Sequence, residues 1–188
     1  MGSEMCIRDS SSTASTRFEQ HVIPLWLDGK QVNTSTTFEV ISPLTDKSLH
    51  SACAATEEDA LSAVAAAKKA LPAWSATNPS ERRDLFLRAA AEFEKRKDEL
   101  WQYCKTETGS TESYFAFDFG DMLEALKSTA GLITTIQATV PILGEPGRSG
   151  MILQEPYGVV LAIAPWNAPC ILGTRSFVGP LASMPPYG

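Results

Sequence analysis

Residues Gly158-Val159-Val160-Leu161-Ala162-Ile163-Ala164-Pro165-Trp166-Asn167-Ala168-Pro169 form an unbroken apolar run that stops at Pro165-Trp166-Asn167 and resumes as an apolar segment after Pro169. A continuous Val/Ile/Leu/Ala run without alternation is the pattern of a strand covered on both faces, as in the parallel sheet of an α/β domain. Pro165 has no N–H to give a ladder, so the strand is expected to end there. Pro169 suits a first helical position and pushes Ala168 towards extended backbone, which places Ala168 outside the helix and Ile171, Leu172 and Phe177 inside it. The expected unit is therefore strand, tight turn, helix.

Ligands of open α/β sheets bind beyond the carboxyl ends of the strands, where a helix N-terminus offers unpaired N–H groups to anions. Asn167 lies at that mouth. Its NH2 group suits donation to an oxygen that gains charge during attack on a carbonyl, a contact worth about 3 kcal/mol in such sites. Spacing alone leaves a second reading open and favours it: an Asn here commonly caps a helix or makes an Asx turn.

The segments upstream read as a β arm followed by helices. Val22 to Leu27 and Thr37 to Ile41 are β-rich around Asp28-Gly29, a hairpin signal, and Ser42-Pro43 follows. Thr56 and Asp59 have capping-box spacing, and Leu61, Val64 and Ala67 then recur at helical spacing as far as Pro72. Asn78-Pro79 with Glu81 opens a second helix, whose Phe86, Ala89, Ala90, Phe93, Leu100 and Cys104 form one stripe ending near Gly109. A third stripe joins Phe115, Phe119, Met122, Leu126, Ala130, Ile133 and Gln137 and stops before Pro141. All three stripes read as core. Pro141 to Gly150 reads as loop, Met151 to Gln154 as a short strand, and Pro156-Tyr157-Gly158 as a turn.

Composition narrows the partners. The 188 residues are 44% hydrophobic and 20% charged, ordinary globular usage. A net charge of −6 argues against nucleic acid and anionic membrane, which reward clustered Lys and Arg. Arg82-Arg83 and Lys95-Arg96-Lys97 are interleaved with acidic residues such as Glu81, Asp84, Glu94 and Asp98, the pattern of a solvated helix face. Cys6, Cys53, Cys104 and Cys170 are far apart in sequence, with no Cys-x-x-Cys and only His21 and His50 nearby, so no zinc site is expected. Cys170 sits where a helix start lowers a thiol pKa, although a small buried hydrophobe is the expected role. Met1 to Thr16 lacks a secretory h-region, and no run nears the roughly 18 apolar residues of a membrane span, which points to the cytosol.

The segment Glu155 to Pro169 resembles the strand-and-turn signature of the NAD(P)-dependent aldehyde dehydrogenase superfamily. Upstream pieces agree in order: Trp26-Leu27-Asp28-Gly29-Lys30, Ile41-Ser42-Pro43, Ala73-Trp74, Glu81-Arg82 and Glu107-Thr108-Gly109. The form Asn167 to Arg175 is most similar to the branch that oxidises aromatic aldehydes of salicylaldehyde or vanillin type. The resemblance runs from about Val22 to Ala182. It implies an α/β fold: the N-terminal part of a Rossmann-type cofactor domain, with a β-hairpin and three amphipathic helices before the first parallel strand. It also implies Asn167 as oxyanion donor, and Ile163, Ala164, Pro165 and Trp166 as lining of an NAD or NADP site. No Gly-x-Gly-x-x-Gly follows a strand here, so cofactor binding rests on the resemblance alone.

On this reading residues 1–17 are a disordered or non-native tail, 18–182 a partial cofactor domain, and 183–188 an aberrant end in which two prolines stop the helix. The family's later lysine, glycine-rich turn, glutamate base and cysteine nucleophile have no matching positions in these residues. The resemblance implies oxidation of an aldehyde with NAD(P)+ and water to a carboxylic acid, through thiohemiacetal formation, hydride transfer and thioester hydrolysis, in proteins that are usually homodimers or homotetramers. The 188 residues by themselves are expected to be inactive and poorly behaved in solution. The alternatives are a non-catalytic fragment of a cofactor cleft or oligomer interface, and a helical scaffold, which leaves the apolar run unexplained. The enzyme reading expects the Asn167 amide to face a cavity at the end of a sheet.

Overall fold

The computed structural model describes residues 22–183, and the expectations for residues 1–21 and 184–188 lie outside them. Two small sheets come first. Asp28 and Gly29 both have positive φ, 51° and 72°, the requirement of a two-residue type I′ turn, and they join β2 (Leu25–Leu27) to β3 (Lys30–Val32) with Leu27 opposite Lys30. The second sheet has the order β1-β5-β4, with β1 at Val22–Ile23, β4 at Thr37–Ile41 and β5 at Ser48–Cys53. β4 and β5 are antiparallel, whereas β1 lies parallel to β5 with Val22 opposite Ser51. The hairpin is therefore where the sequence suggests. Its second strand is β3 and not Thr37 to Ile41, which pairs with β5 instead; β3 and β5 carry too many polar and small residues to stand out as β.

Five helices follow. Thr56 caps α1 (Glu57–Ser75) in a reciprocal capping box with Asp59, and Asn78 does the same for α2 (Pro79–Lys95) with Glu81. After Arg96 the chain forms α3 (Lys97–Tyr103) and a π-helical turn (Cys104–Thr108), which ends at Gly109 in the left-handed conformation, φ 70°. Thr111 caps α4 (Glu112–Ile133), and α5 runs from Pro169 to Ala182. Helix α4 packs against both α2 and α5. The core is the expected second and third stripes: Phe86 and Ala90 of α2, Cys104, and Phe115, Phe119, Met122, Leu126 and Ile133 of α4, closed by Val178 and Ala182 of α5. Each large side chain buried there contributes about 1.5–3 kcal/mol of transfer free energy. The Phe115 ring stacks obliquely between Trp101 and Phe119, with centroids 5.3 and 5.4 Å away.

Three expectations need correction. The α1 stripe is not core, since none of its residues is buried and Leu61 is 62% exposed; the helix also continues past Pro72 to Ser75, although Pro72 has no N–H to give the Lys68 carbonyl. Arg82 is not on a solvated face. It is 2% exposed and donates to the Ala182 carbonyl at 3.4 Å, holding the end of α5, while Arg83, Lys95 and Arg96 do make exposed ion pairs. Gly158 to Ala164 is not a strand, and Met151 to Gln154 is reduced to one antiparallel bridge between Thr139 and Ile152. The first parallel pairing instead precedes the helices, at β1 and β5. A two-sided apolar strand exists only where neighbouring strands pair with its N–H and C=O groups, and among the described residues no strand pairs with this segment, which lies instead beside α1 and α5. It runs as irregular chain, with Leu161 85% and Ile163 84% exposed.

Candidate active site

The start of α5 is built as the prolines suggest. Pro169 is the first helical residue, and Ala168, buried and near-extended at φ −139°, is the cap position. Ala168 has no side chain to cap with, and Asn167 does not occupy the cap. The capping group comes from α4. Asp118 is fully buried and its two carboxylate oxygens accept from the N–H groups of Cys170, at 3.1 Å, and Ile171, at 2.9 Å. The expected unpaired N–H groups at this helix start are thus occupied by an internal anion. That corrects the notion of a free anion-binding terminus.

Trp166 and Asn167 form the turn just before α5 and both are exposed, Trp166 by 77%. Ile163, Ala164 and Pro165 are exposed too, and among the described residues their backbone belongs to no sheet. The enzyme reading expected Asn167 at a cavity and at the end of a strand. The segment joins no sheet, and Asn167 is not among the residues lining the nearest large cavity. The residues named for cofactor and catalysis are consecutive and solvent-facing, with backbone groups and an indole open to a ligand.

That cavity, of about 910 Å³, opens beside the same turn. Trp166, Pro169 and Cys170 face it from one side and His50 of β5, Cys104 and Glu107 from the other. His50 is buried and its Nε2 is 3.4 Å from Glu107 Oε1. Burial pushes the Glu107 carboxyl above its usual range, with His50 partly opposing the shift. Cys104 and Cys170 have their sulfurs 3.8 Å apart. The contact between the two sulfurs lowers the Cys104 thiol, and the same contact, followed by burial, raises Cys170.

Sequence spacing kept these groups apart. The structure brings Cys104, Asp118 and Cys170 together with ligand atoms within 4.8 Å, although both Asp118 oxygens already serve as helix caps. A signal for Asp118 existed, because an acidic residue three places after Phe115 and four before Met122 sits on the buried stripe of α4. In the sequence Glu107 stands out only as part of the Glu107-Thr108-Gly109 motif. Nothing in the sequence around His50 marks it as buried beside Glu107.

The sequence profile of the aldehyde dehydrogenase family matches residues 26–183, and the chain belongs to that family. A vanillin dehydrogenase of Pseudomonas sp. (strain HR199 / DSM 7063) is 43% identical over 162 residues, 85% of this chain and 34% of that protein. Among solved structures, a salicylaldehyde dehydrogenase from Pseudomonas putida G7 complexed with salicylaldehyde superposes with a TM-score of 0.83 at 27% identity, over 87% of this chain and 34% of its own. PnpE in complex with nicotinamide adenine dinucleotide superposes with a TM-score of 0.82 at 30% identity, again over 87% and 34%. The chain spans about a third of the length of the curated relatives it matches. The fold is thus that of the N-terminal part of these dehydrogenases, as the resemblance implied.

Proposed function

We propose that these residues supply one wall of the NAD(P)-binding and reaction cleft of an enzyme that oxidises an aldehyde, of aromatic type, to a carboxylic acid. The observation that carries this reading is the family match over residues 26–183, joined to 43% identity with a vanillin dehydrogenase. Residues 18–182 are then a partial cofactor domain. Unpaired cysteines and the absence, among the described residues, of a helix long and apolar enough to cross a membrane support a cytosolic setting.

The exposed backbone and indole of Ile163, Ala164, Pro165 and Trp166 fit a planar, polar cofactor better than they fit a core, since no protein atom covers most of that surface. NAD(P)+ bound there would accept the hydride removed from the aldehyde carbon. Asp118 fixes the first turn of α5 by holding two of its N–H groups, and that rigid start sets where the preceding turn carries the Asn167 amide. The amide then donates a hydrogen bond to the carbonyl oxygen as it gains negative charge. Asn167 neither gives up nor takes a proton in this role.

The test uses an enzyme that carries these residues together with the remainder of a dehydrogenase of this family, assayed with vanillin, salicylaldehyde or benzaldehyde and NAD+ or NADP+. Asn167→Ala is expected to lower kcat by about 10²- to 10³-fold with cofactor affinity unchanged. Full activity in that variant would reduce Asn167 to a turn residue. The 188-residue polypeptide, which offers a donor amide and no residue matched to the family's nucleophile or base, is expected to show no turnover. Aldehyde-dependent NADH formation by it would favour a different site.

A further inference from the structure

Cys104 and Cys170, 66 residues apart, meet across the junction between the π-helical turn and the first turn of α5. Their sulfurs are in van der Waals contact at 3.8 Å, and both residues also line the 910 Å³ cavity, which gives a small solute a route to them. The third free cysteine among the described residues, Cys53, lies in β5, where its sulfur instead accepts from the Thr34 N–H at 3.3 Å. A metal ion is the other chemistry such a cluster suggests. The only carboxylate in it, Asp118, spends both oxygens on the Cys170 and Ile171 N–H groups, which leaves two sulfurs and no free third ligand among the described residues.

We propose that Cys104 and Cys170 form an oxidation site, at which a hydroperoxide converts the thiol pair to a disulfide tying the π-helical turn to the start of α5. A disulfide needs about 2.05 Å between sulfurs, so the pair must close by about 1.8 Å. Either sulfur can donate its S–H across this contact, and the scheme is written with Cys104 as the attacking sulfur. The Cys104 thiolate attacks one peroxide oxygen, the O–O bond breaks, and Cys104 becomes a sulfenic acid while the other oxygen leaves as alkoxide or hydroxide and takes up the proton Cys104 had lost. Cys170 sulfur then attacks the Cys104 sulfur and forms the S–S bond as the S–O bond breaks. The departing hydroxide takes the Cys170 proton and leaves as water. Two thiols and one hydroperoxide thus give one disulfide, one water and one alcohol, or two waters when the oxidant is hydrogen peroxide. The Asp118 carboxylate opposes a thiolate at both cysteines, and Glu107 opposes one at Cys104.

The site stands on the observed contact and is independent of the dehydrogenase reading. To test it, the 188-residue chain is treated with hydrogen peroxide, quenched with N-ethylmaleimide in denaturant and digested with trypsin without reductant. The expected product is one linked pair, peptide Asp98–Lys105 with peptide Ser149–Arg175, lighter than the two free peptides by two hydrogens and separated by dithiothreitol. Cys53 is expected as its maleimide adduct. The yield should be several-fold higher from the native chain than from chain unfolded in urea before oxidation, and Cys104→Ser and Cys170→Val should each abolish the link. Recovery of both cysteines as maleimide adducts, overoxidation of Cys104 beside a free Cys170, or equal yields from native and unfolded chain would overturn the proposal.

Discussion

Removing the Asp118 carboxylate should destabilise the chain more than any change on the exposed side of α4. Two oxygens of this buried side chain cap two N–H groups of α5, at 3.1 and 2.9 Å, and no other group in the first turn is positioned to replace them, since the cap residue is Ala168. Asp118→Ala strands both donors. An unsatisfied buried donor costs about 1–3 kcal/mol, and water entering the space left by the side chain recovers part of it, so we expect a loss of about 2–4 kcal/mol. Asp118→Asn keeps one acceptor oxygen but turns an NH2 towards the second donor and removes the charge that favours a helix N-terminus, so its loss should be about half as large. With urea m-values of about 1–3 kcal/mol/M for small proteins, the Ala variant should unfold at a midpoint about 1–2 M lower, measured by circular dichroism at neutral pH. The required order is wild type, then Asn, then Ala. Phe117→Ala, one position away on the exposed face, is the control. If Asp118→Ala unfolds with the same midpoint as Phe117→Ala, the carboxylate is not the cap and the reasoning about α5 fails.

Glu107 titrates above the usual carboxylate range because it is partly buried, so its folded-state pKa exceeds the unfolded one. Such a group contributes stability that is complete below the unfolded pKa of about 4.3 and is lost as pH rises through the folded value. Stability of the wild type should therefore fall across that window relative to Glu107→Gln, with the two converging near pH 4 and the Gln variant at least as stable at pH 7; parallel curves in urea titrations at each pH would show that the burial term is absent. Exposed Leu161 and Ile163 should drive self-association of the 188-residue chain, and replacing both with Lys should raise its soluble fraction while leaving the unfolding free energy within about 0.5 kcal/mol of wild type. A sharp monomeric peak in sedimentation for the unmodified chain would contradict that expectation.

Much of the helical half was legible because its signals are local. Thr56 with Asp59 and Asn78 with Glu81 are capping boxes whose geometry depends on four consecutive residues, and both form as read. The α4 stripe could also be read, since Phe115, Phe119, Met122 and Leu126 all face one side of a single helix and find α2 and α5 there. Helix α1 shows the limit of the same signal. Leu61, Val64 and Ala67 have the right spacing, yet periodicity says only which face is apolar and nothing about whether a partner covers it. In the same way Arg82 looked like one of a pair of solvated arginines, when a carbonyl at the far end of the chain, Ala182, is what it serves.

The candidate site was legible as a string of residues but not as a place. Pro169 fixes φ and Ala168 must precede it, so the turn and the helix start follow from covalent geometry and are found where expected. The preceding run is different in kind. Its apolar character records what would have to lie on either side of it, whereas a strand also needs hydrogen-bonding partners along both edges, and those belong to other segments. Asp118, His50 and Glu107 were hidden for a related reason, since each acts through a contact across at least fifty residues of sequence. Family membership therefore carries more of the functional reading than the local geometry does. What the structure adds is the mechanical part: a buried carboxylate on α4 that anchors the helix from which the Asn167 turn projects, so that a change on the neighbouring helix can move the amide without touching it.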